Sequence, residues 1–144
     1  MAVAKIVVDS SVAIKWFIPQ KHSDKSRQIL SAYQEGELDL LVPDLIYAEI
    51  GNIVWKLNRF QELSEQHAKD ILKTFQLITF SVTPSSLLLN DAYHFAREYQ
   101  RTVYDSLYVA LSLRHQCLFV TGDSKLVNAV SPAHSNIVAI ENWS

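Results

Sequence analysis

The sequence predicts an α/β fold, a three-layer α/β/α sandwich around a central parallel sheet. Three observations carry this. Short β-branched runs alternate with longer stretches of helical spacing along all 144 residues, the pattern of successive βα units. The cores of the strand-like runs, IVV, LLV and LFV, are continuously apolar, as expected of strands covered on both faces. Only three glycines and four prolines interrupt a chain that is 49% hydrophobic, which argues against a linker or a disordered tail.

The elements follow in order. AKIVVD (4–9) reads as a strand, and residues 11–17 as a short helix. SDKSRQILSAYQEG is a helix stopped by Gly36. DLLVP (39–43) is the second strand, after which Asp44 caps a long helix, LIYAEIGNIVWKLNRF. Ser64 opens SEQHAKDILKTFQ, with His67 where a full capping box has Glu or Gln. ITFSV (78–82) is a third strand, and SSLLLNDAYHFAREYQ has helical spacing. RTVY (101–104) reads as a brief strand leading into a helix at Asp105. CLFVTGD is a strand, SKLVNAV a short helix and NIVAI a last strand.

With no internal repeat or break in composition, the expected organisation is one domain over residues 1–144. Lys5, Asp9 and Lys15 interrupt the N-terminal apolar run, so no signal-peptide core is expected. Asp39, Asp44, Glu49 and Lys56 break the longest apolar region, which does not read as a membrane span. A cytoplasmic protein is expected, with no membrane partner. The single Cys117 excludes an intramolecular disulfide or a cysteine-based zinc site, and its apolar neighbours suggest an inert buried thiol. A net charge of −2 lacks the broad basic footprint of a general nucleic-acid binder.

The acids pose the sharper question. TVYDSLYVALSL (102–113) carries one charge in twelve positions, Asp105. A helix cap would account for it alone, but it does not stand alone. Asp9 ends the first strand, Asp123 follows the VT of a later one, and Asp105 follows the brief RTVY strand. In a parallel sheet all three would project at one rim, where ligands bind beyond the carboxyl ends of the strands. Glu49 lies inside the apolar run LIYAEIGNIVW. Four converging carboxylates would repel one another and carry raised pKa values unless a cation joined them. Oxygen-only donors suit Mg²⁺ or Mn²⁺, which can activate water for phosphoryl chemistry. Ser11, Asn52 and Thr121 lie at offsets that could support these acids. Each also has a plain reading: Ser11 as a helix cap, Asn52 as surface, Thr121 as a strand former.

DSSVAIKWF, PDLIYAEIGNIVWK, TVYDSLYVALS and FVTGDSKL, in this order and spacing, resemble the PIN-domain nucleases, and among them the toxins of VapBC type II toxin–antitoxin systems. The resemblance covers essentially the whole chain and implies a single PIN-like domain. Carried over by position, the family's metal-binding and catalytic acids fall on Asp9, Glu49, Asp105 and Asp123, and its supporting polar residues on Ser11 and Thr121. Ser106 stands where the family commonly has Ala. The resemblance implies an Mg²⁺- or Mn²⁺-dependent endoribonuclease acting on RNA, tRNA in several members. It also implies a homodimer and a cognate VapB-type antitoxin that occludes the active site. The alternative is a PIN-domain RNA-processing or RNA-binding protein outside such a pair. Lys15, Arg97 and Arg101 are candidate phosphate contacts, although solvated surface charge is the expected reading for the two arginines. The apolar helices around LIYAEIGNIVW and DILKTFQ would serve either a dimer surface or the core.

Other chemistries fit less well. A metal-free ribonuclease would use histidines, but His67, His94 and His115 fall within helices with no convergent pattern; His22 and His134 remain. A haloacid-type phosphatase wants a second Asp two residues after the first, where Ser11 stands. Three glycines supply no phosphate loop, and no serine sits on a nucleophile elbow. A binding module that keeps the acids for structure is the reading from another class, and Asp9→Asn and Asp105→Asn assayed beside the wild type would separate it from an enzyme.

Overall fold

The computed structural model describes residues 3–144. Five strands form one all-parallel sheet: β1 (Ala4–Val8), β2 (Leu38–Pro43), β3 (Ser81–Thr83), β4 (Leu118–Thr121) and β5 (Ile137–Ala139), in the order β3-β2-β1-β4-β5. The helices are α1 (Ser10–Ala13), α2 (Ser23–Gln34), α3 (Leu45–Phe60), α4 (Glu65–Leu77), α5 (Ser85–Tyr99), α6 (Val103–His115) and α7 (Ser124–Val130). Short 3₁₀ turns follow α1 at Ile14–Trp16 and β5 at Ile140–Asn142. The chain starts in the middle of the sheet, winds outward through β2 and β3, then returns to the other flank of β1. Strand order therefore reverses between β1 and β4, where Val7 faces Leu41 on one side and Phe119 on the other. A crevice beyond the carboxyl ends of the strands is expected at that point.

Consecutive strand residues point to opposite faces. Val7 and Val8 of β1, Leu40, Leu41 and Val42 of β2, and Phe119 and Val120 of β4 are all buried. Both faces of the sheet are therefore covered, which is the three-layer arrangement the alternation predicts. Among the described residues, no helix is long and apolar enough to cross a membrane.

Helix α6 answers the puzzle of TVYDSLYVALSL. It packs on β1, β2 and β4 with α5 against it, and every residue from Ser106 to Ser112 is buried. Its two internal serines are satisfied within the helix: Ser106 Oγ donates to the Thr102 carbonyl and Ser112 Oγ to that of Val109, both at 2.7 Å. A helix enclosed on all sides has no polar face. Asp105 escapes enclosure because it sits in the first turn, at the rim.

Three elements differ from their sequence-based reading. RTVY is not a strand. Thr102 is the N-cap of α6, its hydroxyl accepting the Asp105 N–H at 3.0 Å, and Val103 and Tyr104 already belong to the helix. Thr is both a good strand former and a good cap, and here the cap wins. Asp105 thus reaches the rim from a helix start and not from a strand end. Asp44 holds the N-cap position of α3, as read, but its side chain makes no capping bond there. Its carboxylate turns to α5, accepting the Ser85 N–H at 3.0 Å and the Ser85 hydroxyl, and so ties the starts of two helices together. ITFSV pairs only over Ser81–Thr83, a short edge strand. Phe80 leaves it for an aromatic cluster with Trp16, Tyr47 and Phe75, its ring 5.4 Å from that of Phe75. Cys117 is half buried just before β4, and burial pushes its thiol pKa up.

Candidate active site

The site is assembled where β1 and β4 end side by side. Asp9, 8% exposed, leaves β1 and caps α1. Both of its oxygens are held. Oδ1 accepts Ser11 Oγ at 2.5 Å and the Val12 N–H at 3.3 Å, while Oδ2 accepts Thr121 Oγ1 at 2.5 Å. The two hydroxyls are fixed in turn. Ser11 Oγ accepts the Gly122 N–H at 2.8 Å, and Thr121 Oγ1 accepts the Asp123 N–H at 3.0 Å. Gly122 permits this approach, since a Cβ there would lie 3.1 Å from Ser11 Oγ and 3.5 Å from Lys15 Cε. Burial raises the Asp9 pKa to about 6, with the Asp105 charge adding to it and the bonds from Ser11, Thr121 and Val12 opposing it.

Glu49 reaches the same place from α3. It is half buried, and the Tyr108 phenol donates to its Oε1. Burial pushes its pKa up, as do the charges of Asp9 and Asp105, against the bond from Tyr108. Tyr108 is itself buried, stacked on Phe119 with ring centroids 5.8 Å apart. Burial raises its phenol pKa, and Glu49, Asp9 and Asp105 raise it further. One hydroxyl thus feels three acids contributed by the end of β1, by α3 and by α6.

Asp105 and Asp123 are joined by Arg101, whose guanidinium lies 3.8 Å from one carboxylate and 3.9 Å from the other. These are ion-pair separations beyond hydrogen-bond length, and the buried Nε has no partner. Burial raises the pKa of Asp105, the Asp123 charge raises it further, and Arg101 opposes both. Asp123 caps α7, its Oδ1 accepting the Leu126 N–H at 3.1 Å.

Other sequence-selected residues fall elsewhere. Asn52 is exposed on α3, and among the described residues it makes no side-chain hydrogen bond to this network. Arg97 is exposed, its guanidinium 6.0 Å from the Tyr93 ring centroid. Arg101, by contrast, is not the solvated charge the sequence suggested: its side chain is 24% exposed and sits between two acids. His67, His94 and His115 are exposed on helices, His22 pairs with Glu141 at 3.4 Å, and His134 packs against Phe95 and Tyr99. Tyr108 was missed by sequence reasoning, although its place three residues after Asp105 puts both on one face of a helix.

The donor set consists of hard carboxylate oxygens at the rim of a parallel sheet. Among the described residues no three Asp, Glu, His or Cys side chains close tightly enough to grip an ion as they stand. The acids instead form a chain, each in the electrostatic field of the next. By the chemistry of its donors, the set suits hard ions such as Mg²⁺ or Mn²⁺, which retain several waters and take only a few carboxylates directly.

The PIN domain family pattern matches residues 6–130. Ribonuclease VapC3 of Pyrobaculum aerophilum is 31% identical over 124 residues, spanning 85% of this chain and 92% of that protein. Among solved structures, a protein from Pyrobaculum aerophilum superposes with a TM-score of 0.65 at 22% identity, covering 96% of this chain and 85% of that one. A toxin–antitoxin complex from Klebsiella pneumoniae superposes with a TM-score of 0.62 at 15% identity, covering 94% and 97%. At these identities the structural matches speak for the fold. The family match and the VapC3 identity speak for descent: the chain belongs to the PIN-domain family, among the VapC proteins.

Proposed function

We propose that this chain is a divalent-metal-dependent endoribonuclease, the toxin of a type II toxin–antitoxin pair that acts on cytoplasmic RNA as a homodimer and is inhibited by a VapB-type antitoxin. One observation carries the catalytic part: Asp9 is pinned through both oxygens, with Glu49 and Asp105 in its field, at the point where strand order reverses. The VapC3 relative, named a ribonuclease, supports the activity, and the Klebsiella toxin–antitoxin complex supports the partner.

Asp9, Glu49 and Asp105 would hold Mg²⁺ or Mn²⁺, with Asp123 contributing directly or through water. Bound there, the cation supplies positive charge that lowers the pKa of an attacking water and offsets charge growing on the phosphate. Ser11 and Thr121 fix the Asp9 carboxylate before substrate arrives, and Tyr108 does the same for Glu49, so little reorganisation remains during reaction. Water adds to phosphorus, the P–O3′ bond breaks, and the 3′ oxygen takes a proton. The products therefore carry a 5′-phosphate and a 3′-hydroxyl. Digestion of end-labelled RNA is expected to show these ends and to stop in EDTA. Products ending in 2′,3′-cyclic phosphate, or cleavage that continues in EDTA, would contradict the mechanism.

Tyr108→Phe tests the support of Glu49. Removing the phenol takes away the bond that holds the Glu49 pKa down, while burial and the neighbouring acids still raise it. The acidic limb of the activity profile should move to higher pH, with a rate loss of about 10- to 100-fold near neutrality. An unshifted limb would show that Tyr108 only fills space.

A further inference from the structure

The geometry points to a second phosphate-binding place beside the acids: the polar cleft lined by Lys15, Lys21, His22, Gly122, Ser124 and Glu141 takes the RNA phosphate next to the one being cut. This rests on the ribonuclease reading above and gives it a direction along the substrate.

The cleft opens beyond the carboxyl ends of β4 and β5 and shares a wall with the acids. Thr121, whose hydroxyl donates to Asp9, also lines it. Lys15 spans the two places. Its Cε would lie 3.5 Å from a Cβ built on Gly122, and its ammonium feels the Asp9 charge although burial lowers its pKa. Its hydrogen-bond partner is the neutral Gln20 Oε1 at 3.2 Å. Among the described residues neither Lys15 nor Lys21 forms an ion pair with a carboxylate. A partly buried ammonium that lies in the Asp9 field but makes no direct ion pair keeps its donors open to an anion that enters the cleft. Glu141 is the acid that lines the cleft. Two lysines thus face one carboxylate, which has the His22 ring 3.4 Å away.

The other flank of Asp9 has the opposite character, with Asp105 and Asp123 gathered around Arg101. An RNA strand approaching the acids is therefore drawn toward the lysine side. Lysine ammoniums act as point charges on phosphate and read no base, so the cleft sets the register of the backbone and leaves sequence choice to other parts of the surface.

Salt dependence of binding tests this, because each phosphate that a protein neutralises on a single strand adds about 0.7 to the steepness of log K against log[salt]. Asp9→Asn provides a non-cleaving background, and binding of a fluorescein-labelled single-stranded RNA is read by anisotropy across a range of KCl. Adding Lys15→Gln and Lys21→Gln together should make the slope shallower by about 0.7, the share of one phosphate. Lys15→Arg with Lys21→Arg should restore it, which shows that the glutamine variants lack charge and not their fold. Lys73→Gln on the exposed face of α4 should leave it unchanged. An unchanged slope in the double glutamine variant overturns the inference, as does an equal change in Lys73→Gln; an acidic protein segment would then be the better occupant. If the wild type still cleaves RNA, the ribonuclease reading survives either result. A wild type that neither binds nor cleaves RNA overturns both.

Discussion

Asp9→Asn is expected to do two opposite things: lower RNA cleavage by at least about 100- to 1,000-fold and make the metal-free protein more stable at neutral pH. The loss of activity follows from taking charge out of the one acid that is fixed through both oxygens. The gain follows from linkage. Asp9 has a folded pKa of about 6 against an ordinary value of 3.8, so the native state binds the proton more tightly than the unfolded chain. Stability from this group is present below the unfolded value and is lost as pH rises through the folded one. Above that window the charged, buried carboxylate costs up to about 3 kcal/mol. Asn keeps one of the two acceptor oxygens, puts an amide N–H that can donate to the neighbouring Thr121 hydroxyl in place of the other, and removes the charge. In EDTA at pH 7.5 its melting temperature should exceed the wild type's by about 5–10 °C, and at pH 4 the difference should shrink toward zero. A variant both inactive and destabilised at pH 7.5 would mean that Asp9 is mainly a structural cap.

The second large effect is stabilisation by the cation. Glu49 and Asp105 are shifted in the same direction as Asp9, so the metal-free fold should weaken as pH climbs from about 4 to above 6. Mn²⁺ or Mg²⁺ at about 100 times its dissociation constant should return about 2.7 kcal/mol. Because the ligands must be deprotonated, the gain should be present at pH 7.5 and fade by pH 4.5. Thermal melts of the wild type with and without Mn²⁺ at the two pH values measure it. Equal stabilisation at both would place the ion on surface groups that do not share this titration.

Much of the fold was legible because it rests on periodicity. The apolar runs around Val7, Leu41 and Val120 announced strands buried on both faces, and Asp9 and Asp123 could be placed at the rim because each directly follows such a run. Asp105 was located by a wrong route. Thr102 and Val103 look like strand formers, and only the backbone shows Thr102 acting as a cap. Asp44 shows the same limit, since the start of α5 that it binds is 41 residues away. Tyr108 and Arg101 were hidden for another reason. Tyr108 lies one helical turn after Asp105 and Arg101 four residues before it, just outside the helix, which is visible in sequence, but their partners Glu49 and Asp123 come from other elements. Helix α6 disguised its own role. Enclosed on all sides, it shows no amphipathic stripe, and the acid at its first turn reads as an intruder until the rim comes into view.

Anomalous diffraction from crystals grown with Mn²⁺ tests the centre of this account most directly. A single strong peak, or two close together, is expected among the carboxylates of Asp9, Glu49 and Asp105, with Asp123 within reach and Arg101 drawn away from the pair it now bridges. Bound manganese elsewhere on the molecule, with those three carboxylates bare, would contradict it.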